Sequence, residues 1–376
     1  MTSSAAQDGG TAPVRLMLAG DVMLGRGVDQ ILPHPGDPTL REEFIDDARD
    51  YVRLAEQANG SIPSPVELSW PWGEALEALD AAQPDARVLN LETSVTRHAA
   101  FAPGKAVHYR MHPANLPSLA VARPDVCTLA NNHVLDFGVA GLEETLEVLA
   151  ASGLATAGAG RDLGTARQPA SVPLRAGGRV LVFSLGMASS GIPGSWAATP
   201  QRPGVDCYDQ PTAEHAEAVA DRVAAHRRDD DVVVVSLHWG SNWGYGVDRG
   251  QQRFARQLID GGVDLVHGHS SHHPRPIEIY RGRLILYGCG DLINDYEGIR
   301  GHEEYRSDLR LLYLAGLDPS TGRLASLRIL AFQARRLRLE HARSRDVRWL
   351  RAVLDERSRL GDAHLEVDSD GELELR

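Results

Sequence analysis

The sequence predicts an α/β protein in which short buried strands alternate with helices. Apolar runs such as residues 86–91 and 231–237 have the length and composition of buried strands. Between several of these runs lie longer stretches with apolar side chains at helical spacing, as in residues 139–152. Such alternation is typical of sheets that are covered by helices.

Composition narrows the class of protein. The chain has 376 residues, 43% hydrophobic and 24% charged, which is ordinary for a globular protein. A net charge of −12 argues against a nucleic-acid partner. The three cysteines are far apart in the sequence, which fits a reducing compartment. There is no apolar run of about 18 residues and no signal-peptide pattern. We therefore expect a cytoplasmic protein without a membrane span. We expect a disordered N-terminus at 1–12, one domain at 13–335, and a C-terminal helix and tail packing on it at 336–376.

The elements follow from these patterns in chain order. Each predicted strand is a short apolar or alternating run, and each predicted helix carries apolar residues three or four positions apart. The strands are 14–19, 86–91, 107–111, 124–130, 154–158, 180–185, 231–237, 263–266 and 284–287, with a final hairpin of 310–317 and 324–331. The helices are 40–59, 71–82, 139–152, 211–226, 251–260 and 345–360. Residues 186–210, rich in Gly, Pro and Ser, are predicted to be a long loop.

Polar side chains lie within a few residues after the ends of five predicted buried strands. They are Asp21, Glu92, Asn132 with His133, His238, and His269 with His272. Each has an ordinary alternative, since an Asp can cap a helix and histidines can crowd a surface loop. Ligands of open α/β sheets bind at the carboxyl ends of strands, so the repeated placement indicates a shared site. Oxygen and imidazole donors without thiolate suit Mn, Fe, Zn, Mg or Ca, and their number allows one or two divalent ions.

Five strings carry a family resemblance: GDVMLGR, NLETS, LANNHVLDFG, HWG and GHSSHHP, in this order. They resemble the bacterial CapA family, the poly-γ-glutamate capsule-synthesis proteins of the calcineurin-like metallophosphoesterase superfamily. The resemblance covers the chain from about residue 14 to about residue 292. It implies a calcineurin-like metallophosphatase fold, a four-layer αββα sandwich with a two-metal centre at the strand ends.

The resemblance also implies roles for single residues. Asp21 is expected on the first metal, Glu92 near the bridging position, Asn132 and His238 on the second metal, and His269 and His272 completing the pair. His133 is expected to be the general acid, with Asp136 orienting it. The superfamily's Asp-x-His is absent here, because Val22 and Met23 follow Asp21. Glu92 stands in place of the bridging Asp, and both departures weaken the expectation of phosphoester hydrolysis.

Three functional hypotheses stay open at this point. The first is a soluble metal-dependent enzyme acting on a peptide or poly-γ-glutamate-type substrate, with Arg26 or Arg110 binding a carboxylate. The second is a metal-dependent peptide epimerase that tailors a ribosomal, lasso-type peptide, with Asp21 and a motif histidine moving the Cα proton and Trp239 in an apolar wall for a peptide side chain. The third is a non-catalytic binding or assembly protein. The acidic stretches 288–291 and 294–297 either border the pocket or are solvated loops.

Overall fold

The larger of two sheets has ten strands in the computed structural model, which describes residues 12–376. In spatial order these are Leu365–Val367, Leu373–Leu375, Leu324–Ala334, Leu309–Leu317, Val14–Val22, Ala86–Leu91, Val126–Thr128 and Ala155–Ala157, with Asp291–Ile293 beside Val14–Val22 and Leu339–His341 beside Leu324–Ala334. The predicted disordered segment 1–12 lies outside the described residues apart from Ala12.

The second sheet has seven strands. In spatial order they are Cys207–Tyr208, Arg179–Met187, Val232–His238, Leu265–His269, Arg283–Leu286 and Ile277–Tyr280, with Ala170–Pro173 beside Arg179–Met187. Two short pairs complete the strands: Ala159–Gly160 with Gly204–Val205, and Ser94–Val95 with Arg110–Met111. The helices are Gly27–Ile31, Arg49–Asn59, Ala75–Ala82, Pro117–Ala120, Gly138–Ala151, Leu163–Ala166, Ala213–His226, Arg249–Asp260 and Ser344–Arg357.

The two sheets pack face to face between two layers of helices. Along the first strand, Leu16 and Leu18 belong to a core that also contains the inward side chains of the second sheet. Met17 and Ala19 alternate with them and pack under helices Ala75–Ala82 and Gly138–Ala151. The outer face of the second sheet packs on two other helices, Ala213–His226 and Arg249–Asp260. This arrangement confirms the predicted four-layer αββα sandwich.

Several predicted boundaries were wrong. The helix predicted at 40–59 begins at Arg49, because Asp47 pairs with Thr39 as an isolated bridge and its carboxylate accepts the Arg49 backbone N–H at 2.9 Å. The strand predicted at 263–266 continues through His269, since its pairing with the neighbouring parallel strand continues to His238. Of the strand predicted at 107–111, only its last two residues pair.

The pattern analysis also left some strands undetected. Ile277–Tyr280 and Asp291–Ile293 flank the histidine-rich stretch, while Leu365–Val367 and Leu373–Leu375 extend the larger sheet from the C-terminal region. The loop predicted at 186–210 includes two short paired strands. Within residues 12–376, the helices are all too short or too polar to cross a bilayer.

Candidate metal centre

The two sheets deliver polar side chains to one edge of the sandwich. In the larger sheet, Asp21 lies opposite Asn90 on neighbouring parallel strands, and Glu92 follows the second of these strands directly. In the second sheet, His238 lies opposite His269 on the next parallel strand. Because parallel strands end at a common edge, residues far apart in sequence meet there.

Asp21, His238 and His269 form the tightest group in this cluster. One ligand atom of each lies within 4.8 Å of the others. The Nδ1 atoms of His238 and His269 are 2.8 Å apart, and Nδ1 of His269 lies 3.6 Å from Oδ1 of Asp21. All three side chains are buried. Two imidazoles and a carboxylate at this spacing are a donor set for a divalent transition metal.

Glu92 and Asn132 adjoin this group. Oδ1 of Asn132 lies 3.0 Å from Nε2 of His238, and Oε1 of Glu92 lies 3.7 Å from the same nitrogen. Oε2 of Glu92 is buried and has no hydrogen-bond partner among residues 12–376. A buried carboxylate oxygen without a donor is costly, and a cation beside it removes that cost. The side chains present therefore fit a bound divalent ion.

Burial shifts the pKa values of the cluster toward the neutral forms. Burial, and then the charge of Asp291, raises the pKa of Asp21 to about 7. Burial, and then Asp21, raises the pKa of Glu92 well above its usual range. Burial lowers the pKa values of His238 and His269 well below their usual range, and neighbouring histidines add to the shift. Burial thus favours the neutral imidazoles, the form in which a histidine can bind a metal, and a positive charge nearby would favour ionisation of the crowded carboxyl groups.

His133 and Asp136 form a hydrogen-bonded pair beside the cluster. Nδ1 of His133 lies 2.6 Å from Oδ2 of Asp136, which also accepts the backbone N–H of Tyr109 at 2.7 Å. Because a carboxylate only accepts, Nδ1 carries the proton and Nε2 presents a lone pair, 3.8 Å from Oε1 of Glu92. Burial lowers the pKa of His133 to about 4, so the neutral ring is suited to accept a proton at Nε2.

Lys105 is a site residue that the sequence motifs missed. Its ammonium group donates to Oδ1 of Asp136 at 2.5 Å and to the backbone carbonyl of Asn132. The one signal in the sequence is its rarity, because Lys105 is the only lysine among 39 basic residues. A cavity of about 200 Å³ opens beside this side chain, and it is lined among others by Glu92, Lys105, Asn132, His133, His272 and Tyr296.

His272 is not part of the Asp21–His238–His269 group, the candidate metal-ligand group, and it pairs with an acidic residue. Its Nδ1 is 3.0 Å from Oδ1 of Asp291, which stands opposite Asp21 on neighbouring strands. Burial lowers the pKa of His272, but the charge and hydrogen bond of Asp291, together with the charge of Asp21, raise it above its usual value. Asn294 donates to the other oxygen of Asp291 at 2.6 Å. Asp291 therefore contacts a residue that lines the cavity rather than solvent, and Tyr296 of the stretch 294–297 lines the cavity itself.

The predicted substrate-binding residues lie in internal networks. The guanidinium of Arg26 donates to both oxygens of Asp295, at 2.8 and 2.5 Å, and its side chain is 2% exposed. Arg110 donates to two backbone carbonyls. Trp239 is buried in the core on the outer face of the second sheet, and its indole N–H donates to a backbone carbonyl. The structure does not bring these three residues to the cavity beside His133.

Comparisons with known proteins agree on one family. The family described as "Bacterial capsule synthesis protein PGA_cap" matches residues 15–296. The chain is 55% identical over 347 residues to the "Probable polyglutamine synthesis accessory protein" of Mycobacterium tuberculosis, covering 92% of this chain and 91% of that protein. It is 27% identical to the "PGA biosynthesis protein CapA" of Bacillus subtilis, covering 73% of this chain and 62% of the relative. The "Capsule biosynthesis protein CapA" of Bacillus anthracis is 22% identical, with 74% and 59% covered.

Proposed function

The chain belongs to the bacterial capsule synthesis protein family PGA_cap, as its motifs indicated, and from this premise we propose that it is a divalent-metal-dependent enzyme acting on an amide carbonyl of a polyglutamate-type peptide. One observation carries the proposal. Glu92 and Asn132, which contact the metal-ligand group through His238, line the same cavity as the acid–base residue His133. The names of the relatives refer to polyglutamine and PGA synthesis, and they support the substrate class.

The proposed roles follow from the contacts. Asp21, His238 and His269 would hold a divalent ion, which supplies polarisation of a carbonyl or activation of a water. Nε2 of His133 takes the proton of the attacking water, and the water oxygen bonds to the carbonyl carbon. His133 then returns this proton to the leaving amine as the C–N bond breaks. Asp136 holds the ring in the tautomer that leaves Nε2 free.

Proton exchange at Cα is a second candidate, because another imidazole, His272, lines the same cavity as His133. An epimerase needs one group to remove the Cα proton and another to return it from the opposite side. Asp21 is less suited to be the second group, since its two oxygens accept hydrogen bonds from Asn90 and from the backbone of Ser270. On this reading His133 and His272 are the two bases.

A single assay separates these activities. Metal-loaded protein is incubated in deuterated water with γ-linked and α-linked glutamate oligomers, and the masses of the products are measured by mass spectrometry. We expect shorter oligomers with new amine termini, whereas an epimerase leaves the length unchanged and adds deuterium at Cα. His133→Ala is expected to abolish turnover, while His364→Ala, at an exposed histidine, retains it. Oligomer binding by the wild type with neither cleavage nor exchange would contradict an enzymatic function.

A further inference from the structure

We infer that Lys105 binds a carboxylate of the substrate next to the metal centre and thereby selects acidic peptides. The inference rests on the proposed function, since it places the substrate in the cavity beside His133. Every other basic side chain in the chain is an arginine or a histidine, so position 105 is the single place where a compact ammonium group occurs. An ammonium offers three donors on a flexible stem and contacts acceptors in several directions, which a planar guanidinium does not.

The hydrogen bonds of Lys105 leave one donor for a ligand. One N–H bonds Oδ1 of Asp136, and another bonds the backbone carbonyl of Asn132. Nδ1 of His133 lies 3.4 Å from Nζ, but it already donates its own proton to Asp136 and so does not accept. The third N–H of Lys105 has no acceptor oxygen or nitrogen among the residues described. The ammonium group is held in place by the face of Trp196, whose ring centroid is 4.9 Å from Nζ.

The charges of the residues that line the cavity indicate that the third N–H of Lys105 binds an acidic group. Lys105 is the only Lys or Arg among the lining residues, and Glu92 contributes a carboxyl group to the same wall. Arg26 is paired internally with Asp295, and Arg110 donates to backbone carbonyls, so neither reaches the cavity. An acidic substrate that enters this space meets the ammonium group of Lys105, and a charge-assisted hydrogen bond to it is strong when water is excluded.

The test compares two ligands on three proteins. Metal-loaded wild type, Lys105→Met and Lys105→Arg are titrated calorimetrically with a γ-linked glutamate trimer and with the same trimer in which the free carboxylates are amidated. Wild type is expected to prefer the acidic trimer, and Lys105→Met to lose about tenfold or more of its affinity for that trimer. Its affinity for the amidated trimer is expected to change by less than about twofold. Lys105→Arg, which keeps the charge, is expected to retain part of the preference.

Three results overturn the inference. In the first, Lys105→Met lowers the affinity for both trimers equally, as a purely structural role requires. In the second, the wild type binds the two trimers with equal affinity. In the third, Lys105→Met keeps the full preference for the acidic trimer. Metal analysis of the same samples tests the proposed function separately. If the wild type retains no metal, the proposed function fails, whichever trimer the protein prefers.

Discussion

His238 and His269 face each other from neighbouring parallel strands, with their Nδ1 atoms 2.8 Å apart. Both strands are buried, so the backbone ladder rather than a mobile loop fixes the distance between the rings. Ser236, two residues before His238, places its Oγ 2.8 Å from Nε2 of His269 and so orients that ring. Two imidazoles that are rigidly placed, one of them with its second ring nitrogen hydrogen-bonded to a hydroxyl group, form an arrangement that supports tight metal binding.

Removal of this hydroxyl should weaken the metal site without abolishing it. We expect Ser236→Ala to lower the affinity for a divalent metal about tenfold, because His269 loses the hydrogen bond that orients it. Competition with a chelator of known affinity measures the change. Ser171→Ala, at an exposed serine of the same sheet, is the matched control. Equal affinities in Ser236→Ala and the wild type would contradict an orienting role for the hydroxyl.

Asp136 should affect catalysis but not metal content. Asp136→Asn removes the negative charge that pairs with His133 and Lys105 and puts an NH2 group in place of one accepting oxygen, so we expect kcat to fall about a hundredfold or more. The metal content should equal that of the wild type, since Asp136 contacts no member of the Asp21–His238–His269 group. Turnover by Asp136→Asn within about twofold of the wild type would show that His133 does not act through this pair.

The buried His267 should make the fold sensitive to acid. Burial lowers the pKa of His267 to about 4, whereas an unfolded histidine titrates near 6.5. As the pH falls, position 267 is therefore protonated in the unfolded chain before it is protonated in the folded one. The stabilising contribution is complete above pH 6.5 and is lost as the pH falls toward 4.

The matching variant is His267→Gln, which keeps a donor for the carbonyl of Ala19. Between pH 7 and pH 5 we expect the free energy of unfolding of the wild type to fall by about 2 kcal/mol more than that of His267→Gln. Urea titrations at the two pH values measure this difference, and the other titrating groups cancel in the comparison. Equal decreases in the free energy of unfolding of the two proteins would show that His267 does not cause the sensitivity to acid.

Arg26 and Asp295 should contribute to stability rather than to substrate binding. Their side chains are 2% and 0% exposed and meet at 2.5 Å, so Asp295→Ala leaves a buried guanidinium with one fewer partner. We expect a loss of about 3–5 kcal/mol in the free energy of unfolding. The double variant Arg26→Met with Asp295→Leu should lose less, because no charge is stranded. If Arg26→Met instead raises KM and leaves stability unchanged, Arg26 binds substrate as the sequence suggested.

The ligand positions could be predicted from the sequence because each is local to a strong signal. Asp21, Glu92 and His238 each come at or just after the end of an apolar strand, and the common edge of parallel strands then brings them together. The alternation of buried strands and helices could be predicted for the same reason, whereas the two-sheet, four-layer sandwich was implied by the family resemblance.

Other parts of the site had no local signal. Lys105 lies in an irregular segment, and its place in the site depends on a contact with Asp136, far along the chain. Asp291 belongs to a strand of three residues, too short for a periodic pattern, whose position is set by pairing with the first strand. The C-terminal strand Leu373–Leu375 likewise exists through its pairing with Leu324–Ala334. Long-range pairing of this kind leaves no trace in local periodicity.

The most direct measurement of the central claim is the divalent-metal content of the purified protein, determined for the wild type, Asp21→Asn, His269→Ala and the control His364→Ala. Each protein is first incubated with Mn²⁺, Zn²⁺ or Ca²⁺ and then freed of excess ion. We predict at least one equivalent of metal in the wild type and in His364→Ala, and loss of that metal in Asp21→Asn and His269→Ala. A wild type that binds none of these ions, or variants that bind as much as the wild type, would contradict the proposed metal centre.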